Sequence, residues 1–129
     1  IGDSRAYHIT PEGIFQISRD HSVVENMVAK GDLTPLEART HPNRNLITRA
    51  LGPDIHAKAD TFELPWHKDE FLLLCSDGLV NTVSDQEMLF EVLHDGDVNE
   101  CLDHLLQISL QRGAPDNITA VLLLNEEGR

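Results

Sequence analysis

The chain has 129 residues and a formal net charge of −12, a length that suits one domain or a large part of one. Its composition, 40% hydrophobic and 25% charged, is typical of a globular protein and argues against wholesale disorder. An acidic surface repels nucleic-acid phosphates and anionic lipids. We therefore expect neither a nucleic acid nor a membrane as partner, and a cation or a basic surface instead.

The sequence also bears on the compartment. No apolar run approaches the ~18 residues of a membrane helix, and the first residues lack the basic region and apolar core of a signal peptide. Cys75 and Cys101 lie in apolar stretches, where buried, reduced thiols are a simpler interpretation than a disulfide. We therefore expect a cytoplasmic protein. Because the chain begins at Ile1 within a predicted strand, we also expect it to be a piece of a longer one.

Hydrophobic patterning predicts the order strand, strand, helix, helix, irregular stretch, strand, strand, helix, helix, strand. The elements that the pattern locates are strands at 3–9 and 14–18, helices over 23–31 and from Thr34, an irregular stretch at 40–56, a strand at 71–75, helices from Ser84 and over 98–113, a turn at 114–117 and a strand at 118–124. Capping boxes mark the helix starts at Thr34 and Ser84. Grouped strands and grouped helices favour an α+β fold with a mainly antiparallel sheet. Because so few strands give a meagre core, we expect the sheet to need more strands than this sequence supplies.

Aspartates stand at the ends of the predicted strands. Asp3 and Asp20 flank the open end of the first hairpin, whereas Asp77 follows one apolar strand and Asp116 precedes the last. If those last two strands are antiparallel neighbours, Asp77 and Asp116 meet at one edge of the sheet. Clustered carboxylates need cations, and all-oxygen ligation favours Mg²⁺ or Mn²⁺ over Zn²⁺. Each aspartate taken singly also fits an ordinary turn, so the hypothesis depends on the strand pairing.

Six short motifs occur together in a characteristic order. They are GDSRAY at 2–7, DHS at 20–22, HPNRN at 41–45, TRALG at 48–52, CSDGL at 75–79 and DNIT at 116–119. As an ordered set they resemble the metal-dependent protein serine/threonine phosphatases of the PPM family (protein phosphatase type 2C), and the small bacterial members in particular. The resemblance covers essentially the whole chain.

The resemblance implies a four-layer αββα fold, an antiparallel β-sandwich flanked by helices, with a binuclear Mg²⁺/Mn²⁺ centre at one end. It implies that Asp77 and Asp116 are ligands of that centre. Asp3 would, with Asp77, bind a more weakly held third metal. Residues 23–52 are similar to the flap subdomain next to the active site, which is thought to influence substrate access. To Asp20 we assign no metal, and only a role in orienting the flap.

The family's first-half motifs are absent from this sequence. They comprise the phosphate-binding Arg, a nearby acidic residue, the Asp-Gly pair that bridges both metals, and the His that acts as general acid. We expect the Arg and the His upstream of Ile1, so we assign no catalytic residue within the chain. Asn81 stands where many relatives have a further Asp, which weakens the third-metal site. Residues 1–129 are thus predicted to be the C-terminal part of a single PPM-type phosphatase domain.

The implied activity of the parent protein is hydrolysis of phosphoserine and phosphothreonine in proteins by a metal-activated water. Its cofactors would be two Mn²⁺ or Mg²⁺ ions, with a third as an addition. Its partners would be phosphorylated proteins and a cognate Ser/Thr protein kinase, and we expect a monomer. We expect little or no phosphatase activity from the isolated chain.

Two hypotheses from other classes compete with this one. The first is a non-catalytic pseudophosphatase or phosphoprotein-interaction module, against which the retained Asp77 and Asp116 argue. The second is a simple acidic Ca²⁺-binding module. It lacks the loop of alternating oxygen ligands that an EF-hand requires.

Overall fold

The computed structural model describes residues 1–114 and 116–127, and these residues form two compact units. The first unit consists of Ile1–Ser4 and Arg19–Thr61, and the second of Arg5–Ser18 with the described part of Phe62–Arg129. The strands and helices, in chain order, are β1 (Arg5–Thr10), β2 (Gly13–Gln16), α1 (Val23–Ala29), α2 (Pro35–Thr40), β3 (Phe71–Cys75), α3 (Asp77–Val80), α4 (Asp85–His94), α5 (Val98–Gln111) and β4 (Ala120–Leu124).

The second unit is built on a four-stranded antiparallel sheet with the strand order β2-β1-β3-β4. β1 pairs with β2 through Tyr7↔Gln16 and with β3 through Tyr7↔Leu73. β3 pairs with β4 from Phe71↔Leu124 to Cys75↔Ala120. The predicted antiparallel sheet is therefore confirmed, and its two central strands are β1 and β3.

One face of the sheet packs against helices α3, α4 and α5. Alternate strand residues and the inward residues of the helices form one buried cluster, which includes Tyr7, Ile9, Leu73, Leu79, Val83, Met88, Val92, Cys101 and Leu105. Tyr7 is fully buried, and its hydroxyl group donates a hydrogen bond to Asp85 Oδ1 at 3.1 Å. Burial raises the pKa of the Tyr7 phenol, so the group stays a neutral donor that ties β1 to the start of α4.

The other face of the sheet is also apolar but remains exposed. Leu74, Val121 and Leu123 are exposed by 43%, 46% and 41%, and the strand pairing places them on the same side as Phe15, which is 53% exposed. A strand that is apolar throughout is typical of a sheet covered on both faces. Within the second unit, however, the helices cover only one face. The described residues thus form a single sheet, whereas the resemblance implies a sandwich of two.

Both predicted capping boxes are present. The Thr34 and Ser84 hydroxyl groups accept hydrogen bonds from the Glu37 and Glu87 N–H groups, and both glutamates bond back to the N–H of the capping residue. Each box satisfies two donors that a helix start leaves without a partner inside the helix. The helix starts could therefore be predicted to the residue.

Three predicted elements need correction, and one observed element was not predicted. β1 begins at Arg5 rather than residue 3, and β4 begins at Ala120 rather than residue 118. Two strands were predicted between the irregular stretch and the helix that begins after Ser84. Residues 57–70 contain no strand, so β3 alone is present there. The short helix α3 was not predicted. Pro115, in the predicted turn at 114–117, lies outside the described residues.

The first unit contains α1, α2 and an irregular stretch, and a hydrogen-bond network is centred on the buried His21. The Gly2 N–H donates to His21 Nδ1 at 3.1 Å, which leaves His21 Nε2 as the donor to Asp60 Oδ2 at 2.7 Å. Arg49 Nη1 donates to Asp60 Oδ1 at 2.9 Å. The hydrogen bonds from His21 and then Arg49 lower the pKa of Asp60. The network therefore joins parts of the unit that are distant in sequence.

None of the helices in the described ranges combines the length and the apolar character that spanning a bilayer requires. Cys75 and Cys101 are both buried and are not joined in a disulfide.

Candidate metal centre

Asp77 and Asp116 stand at one end of the sheet because β3 and β4 are antiparallel neighbours. The pairing continues one step beyond Cys75↔Ala120. The Ser76 N–H donates to the Thr119 carbonyl oxygen at 2.9 Å, and the Thr119 N–H donates to Ser76 Oγ at 2.9 Å. Asp77 directly follows Ser76, and Asp116 shortly precedes Thr119. The strand pairing on which the sequence-based placement of the two aspartates depended is thus present.

The start of α3, which carries Asp77, packs backbone against backbone with the turn that carries Asp116. Gly78 is buried, and a Cβ added to it would overlap the Asn117 carbonyl oxygen and lie 3.0 Å from the Asn117 carbonyl carbon. The same Cβ would lie 3.2 Å from Ile118 Cγ1. This close approach gives the Asp-Gly sequence at 77–78 a physical reason, since only glycine leaves room for the neighbouring turn.

The Asp116 carboxylate is anchored to its own turn. The Asn117 N–H donates to Asp116 Oδ1 at 2.7 Å. A hydrogen bond between aspartate and a nearby backbone N–H is common in turns, and here it orients a carboxylate at the sheet end. Asp116 is exposed and Asp77 is half-buried, so ions from solvent can reach both groups.

The chemistry of this pair fits a hard divalent cation. Both ligand groups are carboxylates, and oxygen ligands suit Mg²⁺ and Mn²⁺. Mg²⁺ prefers about six oxygen ligands and keeps several waters. Two aspartates therefore account for only part of a coordination sphere. The rest must come from water or from other carboxylates.

The other two predicted strand-end aspartates, Asp3 and Asp20, lie in the first unit. The chain segments that carry them run side by side, because the His21 N–H donates to the Gly2 carbonyl oxygen at 2.8 Å. Metal binding by Asp3 and the orienting role of Asp20 stay predictions, as does the flap role of residues 23–52.

Sequence analysis missed one cluster of ligand-type side chains. Glu91, Asp95 and His104 each offer a ligand atom, and these atoms lie within 4.8 Å of one another. The spacing of Glu91 and Asp95 by one helical turn was a detectable signal. The third member comes from a different helix, and no local pattern indicates which residue of α5 faces that turn.

Comparisons with known proteins identify the relatives of this chain. No protein-family model matches it. The serine/threonine phosphatase Stp of Listeria monocytogenes is 35% identical over 132 residues, covering 100% of this chain and 52% of that protein. A crystal structure of a bacterial serine phosphatase with an R161K substitution superposes with a TM-score of 0.91 at 39% identity, covering 100% of this chain and 52% of that one.

A third similarity concerns the metal. The catalytic domain of the serine/threonine protein phosphatase PstP, solved in complex with two manganese ions, matches with a TM-score of 0.78 at 36% identity. That match covers 95% of this chain and 50% of the PstP chain.

The antiparallel sheet with helices packed on it is thus the fold of bacterial serine/threonine phosphatases. Sequence and fold together show that the chain is homologous to about half of the bacterial serine/threonine phosphatases that it matches. The chain spans about half the length of the curated Stp proteins that it matches.

Proposed function

We propose that the protein carrying this chain hydrolyses phosphoserine and phosphothreonine in phosphorylated proteins. The observation that supports this most strongly is the packing of Asp77–Gly78, at the start of α3, against the Asp116–Asn117 turn at one end of the sheet. It brings together two carboxylate-bearing segments that are distant in sequence. Two relatives of this chain are named serine/threonine phosphatase Stp and serine/threonine protein phosphatase PstP.

In this proposal Asp77 and Asp116 are ligands of a Mn²⁺ or Mg²⁺ pair. When bound, such a pair supplies an activated water and neutralises the charge on the phosphoryl oxygens. The chain's own contribution is positional. Ser76 and Thr119 fix the register of the strand ends, and Gly78 allows the start of α3 to approach the Asp116 turn.

The exposed apolar face of the sheet supports a second part of the proposal. Leu74, Val121 and Leu123 present a surface that β-sandwich proteins bury against another sheet. We assign the covering sheet to the part of the protein that corresponds to the other half of the relatives. That part would also supply the remaining metal ligands, the phosphate-binding Arg and the His general acid.

A non-catalytic pseudophosphatase or phosphoprotein-binding module is the alternative. The approach of Gly78 to Asn117 argues against it, because a protein that no longer binds metal has no need of a glycine that lets the start of α3 approach the Asp116 turn. The further partners in the proposal are a cognate Ser/Thr protein kinase and its substrates. We propose a monomer that acts in the cytoplasm, a location with which two buried thiols are compatible.

The test is phosphate release from a phosphothreonine peptide with Mn²⁺ present. We expect metal-dependent release by the whole protein and little or none by residues 1–129 alone. Robust release by residues 1–129 alone would contradict the assignment of essential groups to the other half. Absence of release by the whole protein, in the presence of bound Mn²⁺, would favour the interaction module.

A further inference from the structure

A second cluster of metal-ligating side chains lies where α4 ends and α5 packs beside it. Glu91 and Asp95 stand one turn apart at the end of α4, and His104 projects from the middle of α5. His104 Nδ1 lies 3.0 Å from Asp95 Oδ2 and 3.6 Å from Glu91 Oε2. One ligand atom from each residue lies within 4.8 Å of the other two.

The two separations from His104 Nδ1 match those between neighbouring ligands of one metal ion. Bonds of ~2.0–2.2 Å from a transition metal to nitrogen and oxygen place neighbouring ligand atoms roughly 3.0–3.5 Å apart in octahedral or tetrahedral geometry. The two distances from His104 Nδ1 bracket this range closely. Small side-chain rotations therefore suffice to place all three groups around one cation.

The cluster also holds two carboxylates that are largely shielded from solvent, where negative charge is unfavourable. The Glu91 and Asp95 side chains are only 20% and 15% exposed. Burial, and then the neighbouring Asp95, raise the pKa of Glu91. His104, whose pKa is raised chiefly by its hydrogen bond to Asp95, can offset one of the two charges. A divalent cation would offset both.

The charges of the cluster also reach a buried thiol nearby. Cys101 precedes His104 by one turn of α5, is 2% exposed and forms no disulfide. Burial raises the pKa of its thiol to about 12, and the charges of Asp95 and Glu91 add to the effect. Cys101 is therefore close enough to feel the two carboxylates, although it is not one of the three grouped ligands.

We propose that Glu91, Asp95 and His104 bind a divalent transition-metal ion at a site that shares no residue with the Asp77–Asp116 centre. The ligand set favours Zn²⁺, since imidazole nitrogen suits zinc whereas Mg²⁺ prefers oxygen alone. Three protein ligands leave a fourth position for water. The ion joins α4 to α5 across their short connection, so its role is to stabilise the helical layer.

The experiment is calorimetric titration of the protein with Zn²⁺ while excess Mg²⁺ is present for the Asp77–Asp116 centre. The variants are His104→Gln and Glu91→Gln, and circular dichroism establishes that each is folded. His94→Gln is the matched control, because His94 is an exposed histidine of α4 whose Nδ1 pairs with the Phe90 carbonyl oxygen of its own helix. Asp77→Asn is the control for the first centre.

We expect one Zn²⁺ ion to bind the parent protein, His94→Gln and Asp77→Asn alike. Loss of a group that only orients a metal ligand weakens metal affinity by ~10–100-fold. His104→Gln and Glu91→Gln remove ligands themselves, so each should weaken Zn²⁺ affinity by more than that. Unchanged affinity in folded His104→Gln and Glu91→Gln, or no Zn²⁺ binding to the parent protein, would overturn the proposal. Binding lost only in Asp77→Asn would assign the zinc to the first centre and also overturn it.

Discussion

The backbone of Gly78 lies against the backbone of Asn117, with no room for a side chain between them. A Cβ at position 78 would overlap the Asn117 carbonyl oxygen. Asp77 and Asp116 directly precede these two residues. The relative position of the two carboxylates therefore depends on the absence of a side chain at position 78.

Replacing this glycine should move the start of α3 away from the Asp116 turn. We expect Gly78→Ala to destabilise the protein by about 1–3 kcal/mol, the usual cost of overpacking, because backbone rather than a flexible side chain must move. Mn²⁺ affinity should fall in the same variant. Urea unfolding and a Mn²⁺ titration measure the two effects.

Gly96→Ala is the matched control, since nothing lies within 4 Å of a Cβ at that position. It should change the free energy of unfolding by less than about 1 kcal/mol and leave Mn²⁺ affinity unaltered. Equal effects of the two substitutions would show that the contact with Asn117 does not position the metal ligands.

The pairing of Glu87 with Arg112 predicts a pH-dependent contribution to stability. Arg112 donates to both Glu87 carboxylate oxygens, at 2.9 and 2.6 Å, and this pairing with the Ser84 N–H lowers the Glu87 pKa from 4.5 to about 2. Because the pKa is lower in the folded state, the stabilisation is complete above pH 4.5 and is lost as the pH falls toward 2. The Glu87 side chain is 37% exposed, so solvent screening limits the effect to about 1 kcal/mol.

Glu87→Gln should therefore destabilise the protein by about 0.5–1 kcal/mol at pH 7, and the difference from the parent should shrink as the pH falls below 4.5. Free energies of unfolding measured at several pH values between 3 and 7 test this. Glu12→Gln, in the exposed turn between β1 and β2, is the control and should show no such trend. A difference that stays constant with pH would rule out the ion pair as its source.

Residues 32–44 offer a test of the flap prediction. They include α2, which contains no buried residue, and Leu36 there is 77% exposed. Replacing them by a short flexible linker should therefore leave the fold intact. If this segment guides protein substrates, turnover of a phosphoprotein should change more than turnover of a small aryl phosphate. An equal loss on both substrates would argue against a role in access.

Local features of the fold could be predicted from the sequence. β3 follows from the uninterrupted apolar run at 71–75, and α2 and α4 follow from capping boxes whose hydrogen bonds form within one turn. The apolar spacing along 98–113 located α5. Each of these features can be recognised within a short stretch of sequence. No knowledge of tertiary packing is therefore needed to interpret it.

Features that depend on tertiary packing could not be predicted in the same way. α3 has only four residues and too short an apolar pattern to detect. The position of Asp77 beside the Asp116 turn required the pairing of β3 with β4, which the sequence analysis could state only as a condition. The cluster of Glu91, Asp95 and His104 depends on which face of α5 meets the end of α4.

The most direct test of the central claim is the Mn²⁺ dependence of phosphate release by the whole protein and by its Asp77→Asn and Asp116→Asn variants. Asp103→Asn, on the exposed side of α5, is the matched control. If Asp77 and Asp116 hold the metal, both variants should need more Mn²⁺ and lose at least about tenfold in rate, whereas Asp103→Asn should not. An unchanged rate at saturating Mn²⁺ in both variants would contradict the assignment.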